Sequence, residues 1–109
     1  MNASIDAKIA EIVSAAQKPF DKVVVRIECP LDTGVKVECL HMTGQEKLAQ
    51  AIPGGVRVFF QFVEKMHKED PQRKFNVVEI TADESGKYET SFFFDEAVQR
   101  QAEENIRQG

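Results

Sequence analysis

Cys29, Cys39 and His41 are the residues of this chain best suited to thiol or metal chemistry. All three fall on alternate positions of two apolar, period-two segments, so they share one sheet-face parity. Two adjacent thiols would make a disulfide or redox pair, and His41 would add a third metal ligand. Both readings lack their usual signature. There is no CxxC, no fourth ligand is suggested, and the spacing fits no common zinc motif. The residues favour buried thiols that behave as small hydrophobes, with no metal or cofactor expected.

Carboxylates are the second source of chemistry. Glu79, Glu89 and Asp95 could be imagined as an acid–base pair of the glycosidase kind. Such a pair needs one carboxyl raised in pKa by apolar burial, and acids on strands are usually solvated. No Ser-His-Asp pattern, nucleophile elbow or dinucleotide fingerprint occurs. Gly54 and Gly55 lack the spacing and the Lys-Ser/Thr of a phosphate loop. His67, the second histidine, falls in the last turn of an expected helix, where a cation is favoured. No catalytic residue is expected, and the chain reads as a binding protein.

Periodicity defines the elements that carry these residues. Ile5, Ile9, Ile12 and Val13 make one apolar stripe and predict a helix over 3–17, with Ser4 as N-cap and Pro19 as stop. Alternation predicts strands over 22–29 and 35–42 around the turn Pro30-Leu31-Asp32-Thr33-Gly34. Their outward arms set Arg26 and Glu28 against Lys36 and Glu38. Residues 45–51 fit either a short helix or a loop, and Pro53-Gly54-Gly55 ends any regular element. A core helix follows over 56–69, with Val56, Phe59, Phe60, Val63, Met66 and His67 on its apolar face and Asp70 and Pro71 closing it. Val77, Val78 and Ile80 lead into the turn Asp83-Glu84-Ser85-Gly86-Lys87, where Gly86 supplies φ > 0. Tyr88, Thr90, Phe92 and Phe94 then alternate with Glu89, Ser91 and Phe93. A polar helix with thin apolar content is expected over 96–108.

The 109 residues suit a single α+β domain, 1–109, in the order α-β-β-α-β-β-α. The expected sheet is antiparallel and four-stranded, with its helices packed on one face and the other face left as a docking surface. No apolar run is long enough to span a membrane, and the opening segment, mixed in charge, is not expected to be a signal peptide. A cytoplasmic protein, monomer or homodimer, is expected.

Charge is unevenly distributed. Residues 1–77 hold ten acidic and eleven basic side chains, while residues 78–109 hold eight acidic and three basic, net −5. Such a balance repels phosphates and attracts a basic partner. The basic run Lys65, Lys68, Arg73 and Lys74 is interrupted by Glu64, Glu69 and Asp70, so nucleic-acid binding is not expected.

One stretch carries a family resemblance. Phe59, Phe60, Phe62 and Val63 are followed by Phe75, by Val77-Val78-Glu79-Ile80-Thr81, by Asp83-Glu84-Ser85-Gly86-Lys87-Tyr88 and by Phe92-Phe93-Phe94-Asp95. This order resembles the YezG-like family of bacterial immunity proteins, antitoxins of polymorphic nuclease toxins. The opening helix and first hairpin follow the same order. The resemblance implies a non-catalytic inhibitor that binds a cognate toxin. Charge makes Glu79, Asp83, Glu84, Glu89, Asp95, Glu96, Glu103 and Glu104 the candidate binding residues against a basic nuclease surface. Small acidic chaperones of type III secretion show a similar alternation of helices and strands. They would instead display an apolar groove for an extended client. Leu40 and Phe93, outward by parity, are the expected exposed apolar residues.

Overall fold

The computed structural model describes residues 3–16, 19–30, 35–69 and 75–108. The expected turn residues 31–34, the helix-closing Asp70 and Pro71, and the basic pair Arg73 and Lys74 lie outside these residues. The helix α1 (Ala3–Ala15) is followed by the strands β1 (Lys22–Glu28), β2 (Lys36–Thr43) and β3 (Glu46–Ala49). The helix α2 (Arg57–Glu69) then leads to β4 (Val77–Ala82), β5 (Tyr88–Phe93) and the helix α3 (Glu96–Gln108). All five strands form one sheet in the order β3-β2-β1-β4-β5, and every neighbouring pair is antiparallel. The class is α+β. No described helix is long and apolar enough to cross a membrane.

Among the described residues the expected four strands are five. The stretch expected to be a helix or loop contains β3, which pairs Thr43 with Glu46 and Leu40 with Ala49. Gly44 makes this possible: it takes φ 62 at the first central position of a two-residue turn, the sign that primed hairpin turns need. Glu46, Lys47 and Ala49 are poor strand formers, so pairing with β2, not local propensity, creates the strand.

One face of the sheet is the core. Val23, Val25 and Ile27 of β1 stand in register with Ala82, Ile80 and Val78 of β4. Ile5, Ile9, Ile12 and Val13 of α1 and Phe59, Phe62 and Val63 of α2 pack in the same cluster. Each such fully buried side chain contributes about 1.5–3 kcal/mol. The buried stripe of α2 is rotated from the expected one: Phe62 is buried and Phe60 is exposed. Ser4 stands just inside α1 instead of capping it.

The helices do not all share that face. Val77 and Ala102 are buried yet lie outside the main cluster. By strand parity Val77 belongs to the opposite face, with Glu28 and Phe93 as its register partners. Val98, Gln101, Ala102, Asn105 and Ile106 of α3 line a groove together with Glu28 and Lys36 of that same face. The helix α3 therefore covers one end of the second face. The chain changes face after β5, where Asp95 both caps α3 and contacts Arg26.

Candidate interaction surface

On the second face, strand register sets out the side chains in rows. Glu38, Arg26, Glu79 and Ser91 stand side by side across β2, β1, β4 and β5, and Lys36, Glu28, Val77 and Phe93 form the next row. The expected opposition of Arg26 and Glu28 to Glu38 and Lys36 is present in this register. Arg26 is the centre. Its Nε donates to Glu28 at 3.1 Å, its Nη1 donates to Glu79 at 3.0 Å, and its Nη2 lies 3.6 Å from Asp95. Its guanidinium also sits 5.9 Å from the centre of the Phe93 ring. Burial works to lower the Arg26 pKa, but the hydrogen bonds and charges of Glu28 and Glu79 outweigh it and raise the pKa above the ordinary value.

The eight candidate acids do not make one patch. Glu79 and Asp95 join the Arg26 cluster, where one guanidinium is shared with Glu28 and the three carboxylates leave the cluster net negative. Asp83 and Glu84 occupy the β4–β5 turn, where Asp83 lies about 14 Å from Glu79 at roughly 3.4 Å per residue along β4. Asp83 organises that turn: its Oδ1 accepts from Ser85 N–H at 2.9 Å, Ser85 Oγ at 2.6 Å and Lys87 N–H at 3.2 Å. The Ser85 hydroxyl, with the two N–H groups and the Lys87 charge, holds the Asp83 carboxyl below its ordinary pKa. Gly86 has φ 91, as expected from the sequence. Glu89 is exposed, opposite Thr81. Asp83 and Glu89 line one open groove of about 780 Å³, which Asp6, Lys22 and Tyr88 also border.

At the start of α3, Asp95 Oδ1 accepts from Ala97 N–H at 2.9 Å, an N-cap, and Glu96 follows in the first turn. Glu103 and Glu104 are exposed on α3. Glu96 and Glu103 each precede an arginine by four residues, Arg100 and Arg107, the spacing that offsets charge along a helix face.

The apolar display also differs from expectation. Leu40 and Phe93 have the outward parity expected, but neither is fully exposed, and Arg26 lies over Phe93. The exposed aromatics are Phe92 at 44%, Phe94 at 47% and Phe60 at 41%. Phe92 has core parity, but β5 is the sheet edge, where the helices give less cover. Its ring stacks edge-on to Phe75 at 5.2 Å and tilts against Phe62 at 6.3 Å.

The possible thiol and metal site does not assemble. Cys39 is in register with Val25, which leaves Cys29 four residues further along β1, roughly 13 Å away at about 3.3 Å per residue. Both cysteines are buried and neither is in a disulfide, and burial pushes the Cys39 thiol up to about 11. Cys39, His41 and Cys29 therefore cannot share one ion. Among the described residues no group of three potential ligands is gathered.

Two residues were not singled out by the sequence. Arg26 reads as one charge among several until register sets it between Glu38 and Glu79. Asn76 reads as an ordinary polar residue before a strand, yet it is fully buried and binds the backbone of Asp95. The chain matches no protein-family model and no curated protein.

Proposed function

We propose that this chain is a non-catalytic immunity protein of the YezG-like kind, which binds a cognate nuclease-like toxin and occludes its basic active-site surface. The observation that carries the reading is the make-up of the segment 83–96. It presents five acids, Asp83, Glu84, Glu89, Asp95 and Glu96, and one base, Lys87, around two exposed phenylalanines, Phe92 and Phe94. An apolar centre with a charged rim is the anatomy of a protein–protein interface. A basic nuclease surface complements that rim, which speeds encounter and sets salt dependence.

Neutralisation then needs only steric cover and charge. Among the acids that carry no structural bond, Glu84, Glu89, Glu96 and Glu103 supply long-range attraction. Asp95 and Glu79, half-buried, also hold Arg26. The test is to reverse those four exposed acids to Lys and follow binding to the partner captured from host lysate. Slower association and a weaker response to salt are expected. Unaltered association at low salt would refute the acidic face.

The groove between α3 and the sheet favours a second reading. It has a volume of about 390 Å³, and Ile106 on its wall is 60% exposed. An extended client segment of a secretion chaperone would fit such a groove. Capture of a secretion substrate through its N-terminal segment, lost on Ile106→Lys, would select this alternative.

A further inference from the structure

We propose that the free edge of β5 takes up an extended segment of the partner, apolar at its centre and flanked by Lys or Arg, as a sixth strand of the sheet. This rests on the binding function proposed above and names how the partner is held.

The two edges of the sheet differ in a way that points to β5. The edge strand β3 has four residues and carries Glu46 and Lys47, so it is short and charged, as protected edges are. The edge strand β5 has six residues, no proline and one charge, Glu89. An edge of that kind is a template for another strand.

The hydrogen-bond pattern shows which groups are on offer. Asp83 N–H donates to the Lys87 carbonyl at 2.9 Å, which makes that pair a bonded one. Alternation along an antiparallel ladder then turns the backbone groups of Glu89, Ser91 and Phe93 towards β4. The Phe93 carbonyl does accept from Asn76 N–H at 3.1 Å. The backbone N–H and C=O of Thr90 and Phe92 consequently face away from β4, along the open edge. Phe92 and Phe94, both more than two-fifths exposed, stand beside these groups and give an incoming strand apolar side chains to cover.

Charge selects the occupant. The turn acids Asp83 and Glu84 flank one end of β5, and Asp95 and Glu96 flank the other. A second copy of this chain, paired antiparallel, would bring the turn acids of one copy against Asp95 and Glu96 of the other. Like charges placed so are unfavourable. A segment with basic ends meets opposite charge at both.

The test uses the full chain, labelled with nitrogen-15, and a short capped peptide of alternating valine and threonine with an arginine pair at each end. Amide exchange is followed by NMR. Peptide binding is expected to slow exchange at Thr90 and Phe92 by about tenfold or more, while the same peptide with glutamates for arginines does not. Thr90→Pro removes an outward N–H and leaves the bonds to β4, so it is expected to abolish the protection. If that variant unfolds, Phe94→Arg serves instead, since it puts a cation against the arginine ends. Protection at Val98 to Ile106, no peptide binding, or protection of Thr90 that grows with protein concentration alone would each overturn the proposal. Toxin neutralisation that survives Thr90→Pro would sink the edge and spare the functional reading. Peptide pairing at β5 in a chain that neutralises nothing would do the reverse.

Discussion

The Asn76 side chain grips the backbone of Asp95 on both sides: its Nδ2 donates to the Asp95 carbonyl at 2.9 Å and its Oδ1 accepts from the Asp95 N–H at 2.8 Å. The backbone of Asn76 is also fully used. Its carbonyl accepts from Cys29 N–H at 2.8 Å, and its N–H donates to Phe93 at 3.1 Å. One fully buried residue thus joins β1, β5 and the N-cap of α3. The path of the chain from the sheet edge to the second face depends on it.

Replacement of Asn76 by Ala should lower stability by about 1–3 kcal/mol, because it leaves part-buried backbone groups of Asp95 without partners. Asn76→Asp keeps the volume but loses the amide donor and puts a carboxylate where there is no solvent, so it should cost more. Urea unfolding followed by far-UV circular dichroism measures both. An unchanged midpoint for Asn76→Ala would mean that Asp95 is held without this clamp.

Tyr88 should titrate late. Its pKa is pushed up to about 12, first by burial and then by its hydrogen bond to Asp6, whose carboxylate favours the neutral phenol. The raised folded pKa means that the stability contributed is present below about pH 10 and is lost as pH rises towards about 12. Tyr88 is the single tyrosine and there is no tryptophan, so ultraviolet titration reads this phenol alone. Asp6→Asn should move the midpoint down towards the ordinary value. A native midpoint of about 10 would mean that Tyr88 and Asp6 are not in contact.

The two cysteines should stay reduced as separate thiols. Register keeps them roughly 13 Å apart, far beyond the 4.4–6.8 Å usual between disulfide-bonded Cα atoms. Burial raises the Cys39 thiol, which removes the thiolate needed for attack. Treatment of the folded protein with oxidised glutathione should give no intramolecular bridge by mass spectrometry, with both thiols titrating only after denaturation. A bridge formed under native conditions would contradict the register of β1 and β2.

Much of the fold was legible because the second hairpin and the apolar stripe of α1 obey strict periodicities. Gly86 announced its turn, and its φ of 91 has the sign that the turn required. The strand β3 was not legible, because Glu46, Lys47 and Ala49 lack strand propensity and owe their conformation to pairing with β2. The position of α3 was hidden for another reason. Val98 and Ala102 show that the helix buries a face, but not which side of the sheet receives it; the Asn76–Asp95 clamp decides that. In the candidate site, the sequence revealed the acids but not their division. Register alone puts Arg26 between Glu38 and Glu79, and sheet order alone makes Phe92 an edge residue.

The decisive experiment is a neutralisation assay on the partner captured from host lysate. The captured protein, produced alone, is expected to cleave nucleic acid and to stop cell growth, with both activities abolished by an equimolar amount of this chain. Reversal of Glu84, Glu89, Glu96 and Glu103 to Lys should delay that protection. A partner without toxicity, or one that cleaves nucleic acid equally well with the chain bound, would contradict the immunity function.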